Sequence, residues 1–465
     1  MIAVWNTYRI EDIAEKITIG PFGSRMKSDA YVESGVPVIR GTNLTGSKKF
    51  SGDWVFITEK LAKQLENCCV SNGDLVFPHR GSIGEVGLVD NQFPQYMMSS
   101  SLMKLRCNPN IADSEFIYYF FKSHQGRYEL LKNASQVGTP GIGQPLTSLK
   151  NIEIKLPSLG EQRKIAKILS DLDEKIHLNN QINQTLESIA QALFKSWFID
   201  FDPVRAKIAA KQECKDPELA AMCAISGKNE VELQQMTEDD LAELRATAAL
   251  FPDELVESKL GEVPKGWFKT DLSILADLNV QSWTKKNCPE KVTYVDLSNT
   301  KWGVIQQTEE FIFEKAPSRA RRVLKIGDTI VGTVRPANGS YAFIQRENLT
   351  GSTGFAVLSP KHKNYAEFIY IVATDKENIK RLAHLADGGA YPAVSYDTVL
   401  NTPCILPIEN KDGVLNLFHK NVKEFYFLSA SKFEENNILA SIRDTLLPKL
   451  LSGELDVSGL QGEGA

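Results

Sequence analysis

Hydrophobic positions repeat with helical spacing over one long stretch in the middle of the chain and over a second stretch near its C-terminus. The first stretch begins at "LPSLGEQRKIAKILSDLDEKI" (residues 156–176), and apolar residues then recur at steps of four and three. This spacing predicts one helix of roughly 38 residues that ends near Phe198. The second stretch closes with "ILASIRDTLLPKLLSGELD" (438–456), which has the same appearance as the end of the first.

The apolar stripe of the first helix follows a heptad repeat. Its seam positions are Ile165, Leu169, Leu172, Ile176, Asn179, Asn183, Leu186, Ala190 and Leu193. Ile182 and Ile189 are expected to widen the stripe, whereas Asp173 and its charged neighbours are expected on the solvated side. An ordinary amphipathic helix packed on its own domain is the alternative, but a helix of this length spans about 57 Å, more than a small domain. The sequence therefore predicts two long helices paired as an antiparallel coiled coil, with Asn179 and Asn183 fixing the register.

Short motifs recur along the chain at a nearly constant distance. "GDLVF" at 73–77 returns as "GDTIV" at 327–331, and "EFIY" at 115–118 returns at 367–370. Within the long helices five residues recur at one offset: Asn183, Leu186, Ser188, Ile189 and Leu193 match Asn436, Leu439, Ser441, Ile442 and Leu446. Because several motifs recur in the same order and at nearly the same sequence separation, we infer a degenerate two-fold repeat of the whole architecture.

Each copy contains short β-type runs bounded by Gly, Asn or Pro, together with one helical segment, 114–134 in the first copy and 366–386 in the second. The predicted fold class is therefore mixed α/β, with two repeated globular domains joined by the paired helices. The predicted boundaries are 1–156 for the first domain, 157–212 for the central helix, 213–261 for an acidic and partly helical linker, 262–407 for the second domain, 408–456 for the C-terminal helix and 457–465 for a tail.

The net charge of −5 is not evenly distributed. Residues 213–260 hold 12 acidic and 4 basic residues, a local charge of −8, so the rest of the chain carries +3. A mildly basic remainder is compatible with a nucleic-acid partner. The N-terminus lacks the basic-then-apolar pattern of a signal peptide, and seven cysteines without a C-x-x-C pair indicate reduced thiols, so a cytoplasmic location is expected.

Motifs for catalysis are not evident in the sequence. The phosphate-binding G-x-x-x-x-G-K-[ST] pattern is missing, and "GTPGIG" at 138–143 is followed by Pro145, which is typical of a loop rather than a cofactor turn. The acidic run at 171–175 lies in the predicted helix, and the six histidines are scattered without metal-ligand spacing. We therefore expect no catalytic residues and no metal or other cofactor in this chain.

The order of these motifs resembles the specificity subunit of type I restriction-modification systems. The resemblance rests on the long-helix run at 156–176, on "NNQINQTLESIAQALFKSWFIDFDP" (179–203), on "LGEVPKGW" (260–267) and on "IGPFGSRMKSDAYVESGVPVIRGTNL" (19–44). It covers nearly the whole chain. The second long helix departs from the family pattern, because "LPIENKDGVLNLFHKNVKEF" (406–425) lacks the Glu-Gln-Arg start of the first helix.

The resemblance implies that each globular domain is a target-recognition domain that reads one half of a two-part, asymmetric double-stranded DNA site, with the helices as spacer. It further implies two modification subunits that methylate adenine with S-adenosylmethionine, and two restriction subunits that use ATP and Mg²⁺. No membrane partner is expected. The alternative is a coiled-coil scaffold without sequence-specific DNA binding, which salt-sensitive co-purification with nucleic acid would distinguish.

Candidate DNA-contacting residues are those with side chains suited to phosphates and base edges in Gly-rich or basic loops. In the first copy they are Arg25, Lys27, Arg40, Lys48, Lys49, Arg80, Gln136 and Gln144. In the second copy they are Lys285, Lys286, Arg319, Arg321, Arg322, Arg335 and Asn338. Arg80 and Arg335 rank first, because each follows the strand that begins with Gly-Asp in its own copy.

Overall fold

The computed structural model describes residues 5–21, 26, 28–46, 48–135, 140–258, 261–389, 391–457 and 459. The chain divides into two compact units. Unit 1 comprises Met1–Asn180 and Phe433–Ala465, and unit 2 comprises Gln181–Lys432. Each unit therefore contains one globular domain and a part of each long helix.

The domain of unit 1 is built on two four-stranded sheets. Its strands are β1 (Asn6–Arg9), β2 (Ala14–Ile19), β3 (Val36–Ile39), β4 (Val55–Ile57), β5 (Cys69–Val70), β6 (Leu75–Pro78), β7 (Gly87–Leu88), β8 (Tyr96–Met98), β9 (Leu102–Cys107), β10 (Ala134–Ser135), β11 (Gly141–Ile142) and β12 (Glu153–Leu156). The strand orders are β2-β9-β6-β7 and β4-β3-β8-β5. β1 pairs with β12, so the first and last strands of the domain lie together where the chain enters the long helix.

Five helices follow or interrupt these strands: α1 (Glu59–Gln64), α2 (Ser114–Lys122), α3 (His124–Leu131), α4 (Pro145–Lys150) and the long α5 (Leu159–Phe198), which continues into unit 2. The strand predicted from "GDLVF" is β6, and all four of its residues are buried. A continuous apolar run is typical of a strand that is covered on both faces.

Unit 2 repeats this plan after four helices. Its elements are α6 (Asp202–Gln212), α7 (Pro217–Ser226), α8 (Glu230–Leu233), α9 (Glu238–Ala248), β13 (Leu255–Ser258), β14 (Gly261–Pro264), β15 (Trp267–Asp271), β16 (Ala276–Leu278), β17 (Lys291–Val295), β18 (Thr300–Lys301), β19 (Val304–Ile305), β20 (Glu309–Ile312), β21 (Ala320–Leu324), β22 (Thr329–Gly332), β23 (Tyr341–Phe343), β24 (Leu349–Ser352), β25 (Phe355–Pro360), α10 (Ala366–Thr374), α11 (Lys376–Leu385), α12 (Tyr396–Leu400), β26 (Pro403–Pro407) and the long α13 (Lys411–Leu451).

The two domains share one topology. The sheets of unit 2 have the orders β16-β25-β22-β23 and β20-β17-β24-β21, which match those of unit 1 strand for strand. In both units one pair, β3 with β8 and β17 with β24, is parallel. The prediction of a mixed α/β fold with two repeated domains is therefore confirmed. Among the described residues, no helix has the length and apolarity that a membrane span requires.

The helical segment predicted in each domain is broken by a sharp corner. In unit 1 Ser123 ends α2 and caps α3, because its Oγ accepts a hydrogen bond from the Gly126 amide at 3.2 Å. A Cβ at Gly126 would lie 2.1 Å from the Phe120 carbonyl oxygen, so this corner requires glycine. In unit 2 Asp375 caps α11 in the same way, with the Glu377 amide as donor at 2.9 Å. The prediction of a single helix overlooked these internal caps.

In unit 1 the first part of α5 lies antiparallel to the last part of α13. The Asn179 Nδ2 donates to the Asn436 Oδ1 at 2.9 Å, and the Asn436 Nδ2 donates to the Asn180 Oδ1 at the same distance. Asn179 is fully buried. The predicted seam is therefore confirmed at Asn179, where a buried polar pair favours one register of the two helices. The register role predicted for Asn183 is not confirmed, because its Oδ1 is buried without a hydrogen-bond partner among the described residues.

Asp173 connects the helices to the domain. The Arg443 Nη1 on α13 donates to the Asp173 Oδ1 at 2.7 Å, and the Tyr119 hydroxyl on α2 donates to the Asp173 Oδ2 at 2.8 Å. Its side chain is only 15% exposed, so the prediction of a solvated Asp173 is wrong. The heptad pattern predicts only which residues of α5 face the partner helix, whereas α5 also packs on the domain of unit 1.

In unit 2 the last part of α5 packs on the first part of α13 through aromatic rings. Phe198 of α5 lies 5.4 Å from Phe418 of α13 and 4.8 Å from Phe368 of α10, between ring centroids. Ile182 and Ile189, which were expected to widen the buried stripe, are 37% and 45% exposed. That expectation is wrong, because the partner helix covers only one side of α5 at these positions.

The Glu-Gln-Arg start of the first long helix has a structural reason. The buried Gln162 accepts a hydrogen bond from the Asp113 amide at 2.9 Å and donates to the Ile111 carbonyl oxygen at 3.1 Å. It thereby fixes the beginning of α5 to the domain. In unit 2 another pair serves this purpose, because the Tyr365 hydroxyl donates to Asp412 near the beginning of α13. Because the Tyr365–Asp412 contact fixes the beginning of α13, the second long helix does not need the Glu-Gln-Arg motif.

The acidic segment 213–261 contains α7, α8 and α9, and it folds around a small apolar core. That core is formed by Ala221, Met222, Leu233, Leu244 and Ala248. The buried Lys207 of α6 connects the segment to the rest of unit 2, since its Nζ donates to Glu218 at 2.7 Å and to the Phe251 carbonyl oxygen at 2.9 Å. Most of the acidic side chains therefore remain on the outside of a folded helical element.

Candidate nucleic-acid interface

Three loops meet in each domain. Loop set 1 consists of the described residues in 40–54, between β3 and β4, in 79–86, between β6 and β7, and in 140–144, before α4. Loop set 2 consists of the described residues in 296–308, 333–340 and 386–395, which follow β17, follow β22 and precede α12. The two sets are equivalent in topology, because they connect equivalent strands.

Backbone contacts hold loop set 1 together. The Gly81 amide donates to the Pro140 carbonyl oxygen at 3.0 Å, and Arg80 forms a β-bridge with Gly141. Gly41 lies opposite Ser82, whose Oγ would be 3.7 Å from a Cβ at position 41. The three loops thus form one surface, with Arg80 where the second and third loops meet.

The same contacts recur in loop set 2. The Arg335 amide donates to the Pro392 carbonyl oxygen at 2.8 Å, as the Gly81 amide does to Pro140 in loop set 1. The Trp302 amide donates to the Gly339 carbonyl oxygen at 2.7 Å and thereby joins the first loop to the second. An arginine next to a proline-containing loop is therefore common to both domains.

Of the residues predicted for the first domain, five lie in loop set 1: Arg40, Lys48, Lys49, Arg80 and Gln144. Arg80 and Gln144 are exposed, and Gln144 has a left-handed backbone (φ 50°) where it begins α4. Arg40 is half-buried, and its Nη2 donates to the Asp53 carbonyl oxygen at 2.6 Å within the same loop. Arg80 and Gln144 therefore present donors to solvent, whereas Arg40 also stabilises its loop.

Lys48 and Lys49 belong to the same loop, but their ammonium groups point to the helices. The Lys48 Nζ lies 2.5 Å from the Glu115 carboxylate and donates to the Ser170 Oγ at 2.7 Å. The Lys49 Nζ lies 3.7 Å from the Glu174 carboxylate. These contacts join the first loop to α2 and α5, away from Arg80. Arg25, Lys27 and Gln136, also predicted from the sequence, lie outside the described residues.

In the second domain Arg335 and Asn338 lie in loop set 2, and both are exposed. The Arg335 guanidinium lies over the Tyr391 ring, 4.8 Å from its centroid. Stacking on an aromatic ring restricts the orientation of the guanidinium. This geometry suits a bidentate contact to a guanine base.

The remaining predicted residues form a neighbouring basic surface in unit 2. Lys285 and Lys286 are exposed in the loop between β16 and β17, and Arg319 is exposed just before β21. Arg321 lies 4.7 Å from the ring centroid of Phe313, and Arg322 lies 5.2 Å from that of Tyr396. Because Tyr396 begins α12, directly after the third loop, this surface is continuous with loop set 2.

Sequence reasoning missed two residues of loop set 2, Trp302 and Tyr391, which are 58% and 71% exposed. It considered only polar and charged side chains as DNA contacts. A tryptophan between a lysine and a glycine in the polar stretch "NTKWG" (299–303) is the signal that could have identified Trp302, since exposed aromatic residues commonly mark binding surfaces.

The chemistry of both loop sets is that of binding. Burial lowers the pKa of His79, and the neighbouring Arg80 lowers it further, so the imidazole is neutral near pH 7 and Arg80 carries the charge of this turn. Within the described part of the chain, no three His, Cys, Asp or Glu side chains are grouped as a metal site requires. The exposed groups are cations, amides and aromatic rings, the groups that contact phosphates and base edges.

Comparisons with known proteins agree with this arrangement. Residues 3–188 match the family described as the type I restriction modification DNA specificity domain. The fold is similar to that of a type I restriction-modification system S subunit from M. genitalium, with a TM-score of 0.55 at 16% sequence identity, over 96% of each chain.

Two curated relatives extend over nearly the full length. The specificity subunit of the type I restriction enzyme HindI from Haemophilus influenzae is 31% identical, over 97% of this chain and 99% of its own. The specificity subunit of the type I restriction enzyme MjaIX from Methanocaldococcus jannaschii is 26% identical, over 98% of this chain and 94% of its own. This chain therefore belongs to the family of type I restriction enzyme specificity subunits.

Proposed function

We propose that the protein is the DNA-recognition subunit of a type I restriction-modification complex and that it reads a two-part, asymmetric DNA site, one half with each domain. The observation that carries the proposal is the equivalence of the loop sets. In each unit an exposed arginine follows the equivalent strand and contacts a proline-containing loop through its backbone, although Arg80 matches Val334 in register and Arg335 matches Gly81. Two domains with equivalent loops but different side chains suit two half-sites that differ in base sequence.

The paired long helices act as the spacer between the half-sites. In both units α5 and α13 pack on each other and on the domain, through Asp173 and Arg443 in unit 1 and through Phe198 and Phe418 in unit 2. Because each domain packs on the long helices within its own unit, we infer that the number of helical residues sets how many base pairs lie unread between the half-sites.

The chain itself is not catalytic, and it acts in the cytoplasm through partner subunits. Two modification subunits methylate adenine with S-adenosylmethionine, and two restriction subunits cleave DNA with the use of ATP and Mg²⁺. Two modification subunits are consistent with the two-fold repeat, since each copy offers an equivalent set of elements to one of them.

The purified chain should therefore neither methylate nor cut DNA, and methylation at one bipartite sequence should appear only when the modification subunit is added. Arg80→Ala should relax one half of the methylated sequence and Arg335→Ala the other, each lowering affinity for the intact site roughly 10- to 100-fold, as expected for loss of a bidentate guanine contact. Lys167→Ala, on the exposed face of α5, is the control and should leave both halves unchanged.

Methylated positions mapped by sequencing of treated DNA provide the measurement. Methyl transfer by the isolated chain would contradict the proposal. So would a variant of either arginine that relaxes both halves together, because the two loop sets would then not read independently.

A further inference from the structure

Two exposed aromatic residues distinguish loop set 2 from loop set 1. Trp302 and Tyr391 face solvent within one loop set and beside the exposed Arg335, whereas exposed apolar residues such as Ile326 lie outside the loop sets and are common on protein surfaces. In the described part of loop set 1 the aromatic residues are Phe50, which is buried, and Trp54, which is half-buried and packs on Phe50. Among the described residues of the two loop sets, only those of the second domain therefore include an open aromatic ring.

The position of the Trp302 ring is fixed by its surroundings. Its backbone is left-handed (φ 48°), a conformation that is unfavourable for a non-glycine residue and that clusters at functional sites. The hydrogen bond to Gly339 holds this conformation. A Cβ at Gly339 would lie 2.5 Å from the indole, so one face of the ring packs on that glycine. Tyr341 contacts the indole edge-on, with the ring centroids 6.0 Å apart.

A short 3₁₀ helix, Pro336–Asn338, separates Arg335 from Gly339, the glycine on which the indole packs, and both flanking residues are left-handed (φ 48° and 65°). At about 2.0 Å per residue, the backbone at Gly339 lies within roughly 8 Å of the backbone at Arg335. At about 3.4 Å per base pair along one strand, this corresponds to two or three base pairs.

We propose, resting on the DNA-reading function above, that Trp302 packs on the 5-methyl group of a thymine two or three base pairs from the guanine that Arg335 contacts. An indole ring carries no charge and cannot replace a cation at a phosphate. In the major groove the thymine methyl is the apolar group that distinguishes one base pair from another. A rigid, solvent-exposed ring beside a base-reading arginine therefore fits an A·T pair at a defined position of the second half-site.

Substitution of deoxyuridine for thymine tests this contact without a change in the protein. Once the methylated sequence is known, each thymine of the half-site relaxed by Arg335→Ala is replaced in a short duplex. Binding by the chain with its modification subunit is then measured by fluorescence anisotropy. One replacement, two or three base pairs from the guanine, should weaken binding about fourfold, the effect of burying one methyl-sized group. Replacements in the other half-site should have no effect.

Trp302→Ala assigns the effect to the ring. This variant keeps the backbone preference of a non-glycine residue, and it should weaken binding to the thymine duplex roughly tenfold and remove the difference between thymine and deoxyuridine. Trp302→Phe should retain part of that difference. Ile326→Ala is the matched control, because Ile326 is equally exposed (58%) but precedes β22, whereas loop set 2 follows that strand. It should behave as the wild type.

A half-site with no A·T pair at this distance from the guanine would overturn the proposal. So would a full thymine preference in Trp302→Ala, or weakened binding by Trp302→Ala when no deoxyuridine replacement has an effect in the wild type. A different result would contradict the proposed DNA-recognition function itself: the wild-type complex would then methylate no defined sequence at all.

Discussion

Unit 1 and unit 2 have the same sheets in the same strand order, yet they differ in the side chains that fix the long helices and in the side chains of their loops. Unit 1 uses polar groups between the helices and the domain, such as Gln162 and the Asp173–Arg443 pair. Unit 2 relies more on aromatic rings, such as Phe198 and Phe418, beside the polar Tyr365–Asp412 contact. The comparison shows that a common apolar core preserves the architecture while the contact residues diverge.

The loop sets diverge in the same manner. The first loop of unit 1 carries Lys48 and Lys49, which pair with acidic residues on the helices, whereas the equivalent loop of unit 2 carries the exposed Trp302. Each loop set nevertheless keeps its arginine, Arg80 or Arg335, against a proline-containing loop. Different loops on one scaffold are what two different half-sites require.

The aromatic contact in unit 2 should give the largest effect on stability. Phe418→Ala removes a fully buried ring that packs on Phe194, Phe198 and Phe368, and it should lower the free energy of unfolding by about 3–5 kcal/mol. Phe427→Ala on the same helix is the control, because Phe427 is 73% exposed, and it should change stability by less than about 0.5 kcal/mol. Urea unfolding of both variants measures the difference. Equal effects would mean that α13 does not pack on the domain through Phe418.

The polar contact in unit 1 should have a smaller effect. Arg443→Ala leaves the half-buried Asp173 carboxylate with the Tyr119 hydroxyl alone, and it should cost about 2–3 kcal/mol. In a double-mutant cycle with Asp173→Ala, the coupling energy should be about 1–3 kcal/mol. Lys167 and Asp171, an exposed pair on α5, form the matched control and should couple by less than about 0.5 kcal/mol. A coupling near zero for Asp173 and Arg443 would show that the polar contact does not join the helices.

Much of this architecture could be predicted from the sequence. The heptad spacing identified the long helices and their seam, and the repeated motifs "GDLVF" and "EFIY" identified equivalent strands and helices in both domains. These features could be predicted because the spacing of apolar residues in the sequence reflects which face of a helix or strand is buried. The corner at Ser123 was not predicted, since a serine within an apolar helical pattern gives no indication of whether it caps a new helix.

The contacts of individual polar residues were less predictable. Asp173 was expected in solvent, and the acidic partner of Lys48 was not expected, because charge alone does not reveal a partner that is distant in the chain. Their partners, Arg443 for Asp173 and Glu115 for Lys48, follow from the packing of domain and helices. Trp302 was overlooked for the opposite reason, since an apolar residue is expected in a core until its exposure is known.

We propose that the paired helices hold two independent DNA-reading domains apart, and a heptad insertion tests this proposal most directly. Seven residues in heptad phase are added after Ser188 on α5 and seven before Tyr426 on α13, at facing positions, because Tyr426 lies beside Glu187. Facing insertions keep the Asn179–Asn436 pair and the rest of the seam in register. Two residues added at each position are the control, because they rotate the apolar stripes apart and should abolish activity.

The measurement is the methylated sequence in cells that express each variant with the modification subunit. Each helix lengthens by about 10.5 Å, and at about 3.4 Å per base pair this adds roughly three base pairs. Both half-sites should therefore remain unchanged while the unread spacer grows by about that number. An active variant that keeps the original spacer would contradict the account, because the helices would then not set the distance between the two readers.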